Sequence, residues 1–429
     1  MRSRSALSVA ALLAASLTAC GNATTAISNG GGSNGVSEHR IVVGAIASVT
    51  GPLPQAFAPV FDGVRAYLDM VNASGGINGR TIDLAHALDD GSDPSQDVQQ
   101  ARTLVESDHV FAVVGVATPS FIGGSFLADN DVPTFGYDVN PQWTDGPSLF
   151  GYEGSFIDFE HPGPEPAYLA ERVGAKRVGI VAYNLTASSQ GCVGIANDMA
   201  KFHVPVAFED LSITPPAIDL SADVNRMRAD GVDFVASCLD LNGNLVLSRA
   251  LRSAGMGSAT QYWLDGYDEA AIASSASLMD GAYFLIGHVP FASGQQQPTA
   301  YPEMALYLKE LHKYFPADEP SEPSIAGWIS AEMFSTGLKM IGRDVTRAGL
   351  VAAINSLQDY TGGLVAPIDW KVEHTANGPV DCNVFVRAEG SRFVVVFGSS
   401  RTVFTCFRYP QPSSPQVVVV PPPRSIPGG

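Results

Sequence analysis

Between Ile41 and Asp138 the chain alternates apolar runs with amphipathic segments, and that alternation admits few folds. IVVGAIA leads into a polar break, Ser48-Val49-Thr50-Gly51-Pro52. Phe57, Val60, Val64, Leu68 and Val71 then recur three or four apart, which predicts a helix with one buried face. Asn72-Ala73-Ser74-Gly75-Gly76 stops it, because Asn and Gly tolerate the left-handed conformation at a helix C-terminus. Residues 81–84 predict a second strand, Asp93-Pro94 a capped helix with proline at its first position, and residues 111–120 a third strand released into a polar loop. Strand, helix, strand, helix, strand implies a parallel sheet covered on both faces. Such sheets bind ligands at the carboxyl ends of their strands. Here those ends are Ser48 to Pro52, Ala117 to Ser120, and Tyr137-Asp138.

A second series follows a Gly-, Pro- and aromatic-rich stretch at 151–165, which reads as a crossover. Strands are expected at 177–183, 206–211, 232–238, in QYWLD and at 280–287, with helices at 189–202, 220–229, 245–254 and 269–278. Three more helices are expected at 301–314, 326–341 and 346–356. The alternating, β-branched segment CNVFVRAEGSRFVVVF, with Glu389-Gly390 at a turn, predicts terminal strands. From Tyr409 the chain is Pro-rich and reads as disordered, although its four valines leave an edge strand open.

The first residues, MRSRSALSVAALLAASLTACGN, combine two arginines, an apolar stretch from Ala6 to Ala15 and Leu17-Thr18-Ala19-Cys20. This reads as a bacterial secretion signal over residues 1–19 with Cys20 as the lipidated residue, and the alternative is an ordinary signal cut elsewhere. An acylated Cys20 would hold the protein on the outer face of the cell membrane. Residues 20–39 read as a flexible tether. With 25 basic and 43 acidic residues the chain should not bind nucleic acid through its charge. Besides Cys20 there are Cys192, Cys238, Cys382 and Cys406, which in an exported protein suggest two disulfides over four buried thiols. Of three possible pairings, Cys192–Cys238 and Cys382–Cys406 are expected.

Catalytic signatures are missing. The sequence has no Gly-x-Ser-x-Gly elbow, Walker loop or Gly-x-Gly-x-x-Gly fingerprint, and no His or Cys spacing for zinc. Asp89 to Asp93 reads as a solvated acidic turn, since it lacks the ligand alternation of a calcium loop. Gly123 to Phe126 reads as a helix start packing on its strand, and His161 and His288 fall at presumed crossovers. No enzyme activity, cofactor or metal is expected.

The ordered series of IVVGAIASVTGP, MVNASGGINGRTIDL, DDGSDPSQDVQQARTLVESDHVFAVVG and, later, ADGVDFVASC, RALRSAGM and DGAYFLIG resembles the branched-chain amino-acid type of periplasmic solute-binding protein over residues 40–400 or so. The resemblance implies an α/β fold of two Rossmann-like lobes with parallel sheets, joined by three hinge crossovers near 156–159, 287–290 and 364–368. It divides the chain into lobe 1 (40–158 with 289–365), lobe 2 (159–288 with 366–408) and a tail (409–429). It also implies an amino acid or similar small polar ligand in the cleft, and an ABC permease as partner. A ligand sensor of the same fold without a permease is the alternative.

Carried over, Ala117-Thr118 corresponds to the family's first-lobe loop for the ligand carboxylate and Gly136 to Asp138 to the next strand end; Thr50, Gly51 and Ser120 join them by position after a strand, and Tyr137 is a candidate wall with core packing as its alternative. Asp138 departs from that pattern, because its charge would repel a carboxylate. The family's second-lobe aromatic falls near Ser188, where the ring is missing. Its acidic amine anchor falls on Asp240, for which the cap of the following helix is an equal reading. Tyr267, Trp143 and Tyr152 are candidate walls, with core packing as their alternative.

Overall fold

The computed structural model describes residues 35–155, 163–375, 381–398 and 403–407. The expected signal, Cys20, most of the tether, the first crossover at 156–159, His161 and the Pro-rich tail lie outside the described residues.

The first lobe runs β1 (Arg40–Ala47), α1 (Val60–Ala73), β2 (Thr81–Asp89), α2 (Pro94–Arg102), β3 (Ala112–Ala117), α3 (Gly123–Asp129), β4 (Thr134–Gly136) and β5 (Leu149–Gly151). Its five strands pair in parallel in the order β2-β1-β3-β4-β5. β3 is buried along its whole length, as a strand with helices on both faces must be. Asp93 caps α2 as its sequence requires, accepting from the Ser95 amide at 2.7 Å. The start of α3 packs on α2, for a Cβ on Gly123 would meet that of Ala101 at 2.9 Å.

The second lobe runs α4 (Glu165–Val173), β6 (Val178–Tyr183), α5 (Thr186–Lys201), β7 (Val206–Ile213), α6 (Ser221–Ala229), β8 (Phe234–Cys238), α7 (Leu241–Ser253), β9 (Thr260–Trp263), α8 (Glu269–Met279) and β10 (Tyr283–Ile286). β7-β6-β8-β9-β10 pair in parallel. The chain then forms α9 (Phe291–Gln296), α10 (Pro302–Tyr314), α11 (Glu322–Ile341) and α12 (Arg347–Ile354), and α11 packs on α1, β3 and β4 of the first lobe. The periodicity did not anticipate the short α9, and α11 begins four residues before the expected start at 326. Finally β11 (Asp381–Glu389), β12 (Arg392–Val396) and β13 (Thr405–Phe407) add an antiparallel extension to the second sheet.

Disulfides join Cys192 to Cys238 and Cys382 to Cys406. The first ties α5 to the end of β8. The second staples β11 to β13 across a directly paired register. The second and third connections between the lobes run side by side. The Val289 amide donates to the Leu364 carbonyl at 2.7 Å, and His288 bridges to Val365. Among the described residues no helix is long and apolar enough to cross a membrane.

Candidate functional site

Strand ends of the two lobes face each other around two adjoining cavities. The inner one, of ≈ 290 Å³, takes Leu53 and Phe57 from the loop after β1, Pro119 from the loop after β3, and Tyr137 and Val139 from the loop after β4. From the second lobe come Tyr183, Leu185, Ser188, Asp240, Tyr262, Leu264 and Asp265. The outer one, of ≈ 520 Å³, shares Asp240, Asp265 and Glu322 with the inner and adds Tyr267 to its lining. Parallel sheets leave side chains and free amides at these strand ends, which is why the cavities form there. The lobes also touch directly, the Ala187 amide donating to the Pro119 carbonyl at 3.1 Å.

Of the residues singled out in the sequence, Tyr137, Ser188, Asp240 and Tyr267 line the cavities. The Ser188 hydroxyl is engaged within its lobe, donating to the Cys238 carbonyl at 2.5 Å and accepting from the Tyr183 amide at 2.8 Å. Asp240 caps α7, accepting from the amides of Gly243 at 3.0 Å and Asn242 at 3.3 Å, and it takes a third bond from the Tyr183 hydroxyl at 2.6 Å. The cap reading of Asp240 is therefore met, and the same side chain borders both cavities. The Tyr267 hydroxyl accepts from the Phe291 amide at 2.9 Å and its ring stacks on Phe291.

Thr50, Gly51, Ala117, Thr118, Ser120 and Asp138 are not among the lining residues. The acidic turn at 89–92 takes up the loop after β1. Asp89 accepts from the amides of Val49 and Thr50 and from the Thr50 hydroxyl at 2.6 Å. Gly51 has φ +104°, and a Cβ there would lie 2.6 Å from the Gly91 carbonyl oxygen. Its glycine thus serves contact with that turn. Ala117 and Thr118 are buried. The Thr118 hydroxyl accepts from the Ser120 amide at 3.3 Å and sits 3.4 Å from the Ser48 hydroxyl. Asp138 lies behind the wall near Gly151. Burial, and then the Glu153 charge, push its carboxyl well above the usual range. Trp143 is core, packed on Phe121, and the Tyr152 hydroxyl donates to Glu322 at 3.3 Å.

Asp265 and Glu322 were not singled out in the sequence. Asp265 follows β9, so the strand-end rule already pointed to it. Glu322 opens α11 after the chain has crossed back, and no motif marks it. Burial, then Asp240 and Asp268, raise Asp265 to about 7. Burial, then Asp265 and Glu153, lift Glu322 well above the ordinary carboxylate range. Both are held in a low dielectric where like charges oppose ionisation.

Residues 40–391 match the family described as periplasmic binding protein. The chain belongs to that family. A Leu/Ile/Val-binding protein homolog from Brucella melitensis is 30% identical over 247 residues, which covers 53% of this chain and 64% of the relative. The chain thus spans less than two thirds of that curated relative, and 55% of a leucine-specific-binding protein from Salmonella typhimurium. A substrate-binding periplasmic protein from Ralstonia solanacearum superposes with TM-score 0.70 at 17% identity, covering 84% of this chain and 100% of that one. As a periplasmic binding protein, the chain has the two-lobed type I fold that its sequence pattern implied.

Proposed function

We propose that this protein is the extracytoplasmic binding component of an ABC importer, held to the membrane by a lipid on Cys20. In this reading it captures a small polar ligand bearing a positively charged amine, an amino acid or a relative of one. The observation that carries the reading is the ≈ 290 Å³ cavity, walled by strand-end loops of both lobes and lined by Asp240, Asp265 and Glu322. A cavity of this size encloses a small molecule, and walls from two lobes let the ligand itself favour the closed form. Tyr137, Ser188, Asp240 and Tyr267 form the contact set together with Asp265 and Glu322. Thr50, Gly51, Ala117, Thr118, Ser120 and Asp138 support the first-lobe wall from behind. The lobes take the limits 40–158 with 289–365 and 159–288 with 366–408.

A melting-temperature screen of amino acids, amines, amides, small acids and sugars tests the reading. A true ligand binds the folded state alone, adding about 2.7 kcal/mol at a hundred times its Kd. Small-angle scattering of the hit should show a smaller radius of gyration. Hits that leave the lobes open would sink the proposal. For the anchor, Cys20→Ser should move the protein from the membrane fraction to the soluble one, and unchanged partitioning refutes the lipid.

A further inference from the structure

The lining of the cleft is one-sided in charge. Neither cavity has a lysine, arginine or histidine among its described lining residues. Asp240, Asp265 and Glu322 border both, and Asp62, Asp318 and Glu319 continue the acidic wall outward. Among the described residues no three such groups stand where they could hold one metal ion, so the carboxylates are strung along the cleft.

Glu322 is 8% exposed and borders both cavities, yet a single hydrogen bond reaches it among the described residues, the one from Tyr152. A buried carboxylate with so few donors is an expensive arrangement unless a partner arrives. The upward shifts of Asp265 and Glu322 are the same fact seen from the proton's side: among the described residues the charges acting on each are carboxylates. The opposite end of an amino acid meets no counter-charge in either lining, only hydroxyl and amide groups such as those of Tyr137, Tyr262 and Asn383. Thr118 and Ser120 are buried in their own loop, and the residue of that loop that does line the cavity is Pro119, which has no N–H to donate. Phe57, Tyr137, Tyr183 and Tyr262 give the inner cavity aromatic walls.

We infer that the ligand of this cleft is an elongated organic cation without a carboxylate, an alkyl- or arylamine or a linear oligoamine. Its apolar body lies against the inner aromatic wall, one ammonium group lies between Asp265 and Glu322, and any second cationic group extends along the outer acidic wall. The inference rests on the binding-protein reading above and narrows it from amino acids to amines.

Calorimetry on the purified protein with matched pairs tests it. 3-Methylbutylamine is compared with leucine, tryptamine with tryptophan, and butylamine with 1,4-diaminobutane and spermidine. Each amine should bind at least tenfold more tightly than its amino acid, the diamine more tightly than the monoamine, and the preference should shrink with added salt. Asp265→Asn and Glu322→Gln should each weaken amine binding at least tenfold while circular dichroism shows a folded protein. The inference is overturned if leucine or tryptophan binds as well as its amine, if isovaleramide matches 3-methylbutylamine, if no amine binds at millimolar concentration, or if both variants keep full affinity. Scattering on whichever compound binds separates the two levels. An amino acid or neutral ligand that closes the lobes removes the cation inference and leaves the transport reading standing. A binding amine that leaves them open removes the transport reading instead.

Discussion

Asp240 fixes the start of a helix with a side chain that also borders both cavities. Its two oxygens accept from the Gly243 and Asn242 amides at the start of α7 and from the Tyr183 hydroxyl of β6. Asp240→Ala should therefore lower stability by about 1–2 kcal/mol in urea unfolding, through the lost cap and the buried tyrosine left without its acceptor. Asp240→Ser should recover the capping share, because a serine hydroxyl can accept the same amides. Equal losses in both variants would mean that the cap contributes little. The cap at Asp240 was legible in the sequence, as a carboxylate ahead of an amphipathic run. The Tyr183 bond was not, since it joins residues 57 positions apart. The same limit hid the acidic turn. Thr50 and Gly51 read as ligand contacts because they end a strand, but Asp89 from the neighbouring strand takes both donors of Thr50, and Gly51 packs against the Gly91 carbonyl.

At the scale of elements, the packing of α1 on α11 depends on two glycines that no periodicity argument would select. A Cβ on Gly63 would collide with the Ser324 carbonyl, and one on Gly327 with the Val60 carbonyl. The helices approach until backbone meets backbone. Gly327→Ala should gain about 1 kcal/mol of helix propensity and still destabilise, since overpacking a closed contact costs about 1–3 kcal/mol. Denaturation midpoints for Gly327→Ala beside Gly174→Ala, where a Cβ meets no atom within 4 Å but φ is +74°, separate packing from backbone strain. A neutral result at Gly327 would show that the helices can slide apart at no cost. The strands and helices themselves were largely legible, because apolar runs of β3 and β8 and the 3.6-residue pattern of α1 are local signals. The early start of α11 escaped notice, for its first turn, Glu322-Pro323-Ser324, looks polar and yet is buried.

Across the whole molecule, buried acids set the pH response. Asp97, Asp198 and Asp265 are all raised to about 7, with burial as the first cause. For these groups the folded state holds protons more tightly than the unfolded one, so stability rises as pH falls from about 7 toward about 4. His288 and His374, lowered to about 4 by burial, act in the other direction below pH 6.5. The acids outnumber them, so the ligand-free protein should melt at a higher temperature at pH 5.5 than at pH 7.5. Asp97→Asn with Asp198→Asn should flatten that difference. A wild-type melting temperature that rises with pH over this range would contradict the assignment.

The bonded pair of connections at Val289 and Leu364 bears on how the ligand is held. Two connections clasped by a backbone hydrogen bond and a bridge are expected to move as one ribbon, so these two links act as a single joint. Links that act together leave the bodies they join fewer poses than links that bend independently. The apparent affinity of a protein is its intrinsic affinity scaled by the fraction of time spent in the receptive pose. Fewer idle poses mean a larger fraction. In the binding-protein reading proposed above, tightness of binding then depends partly on a ribbon outside the lining of either cavity.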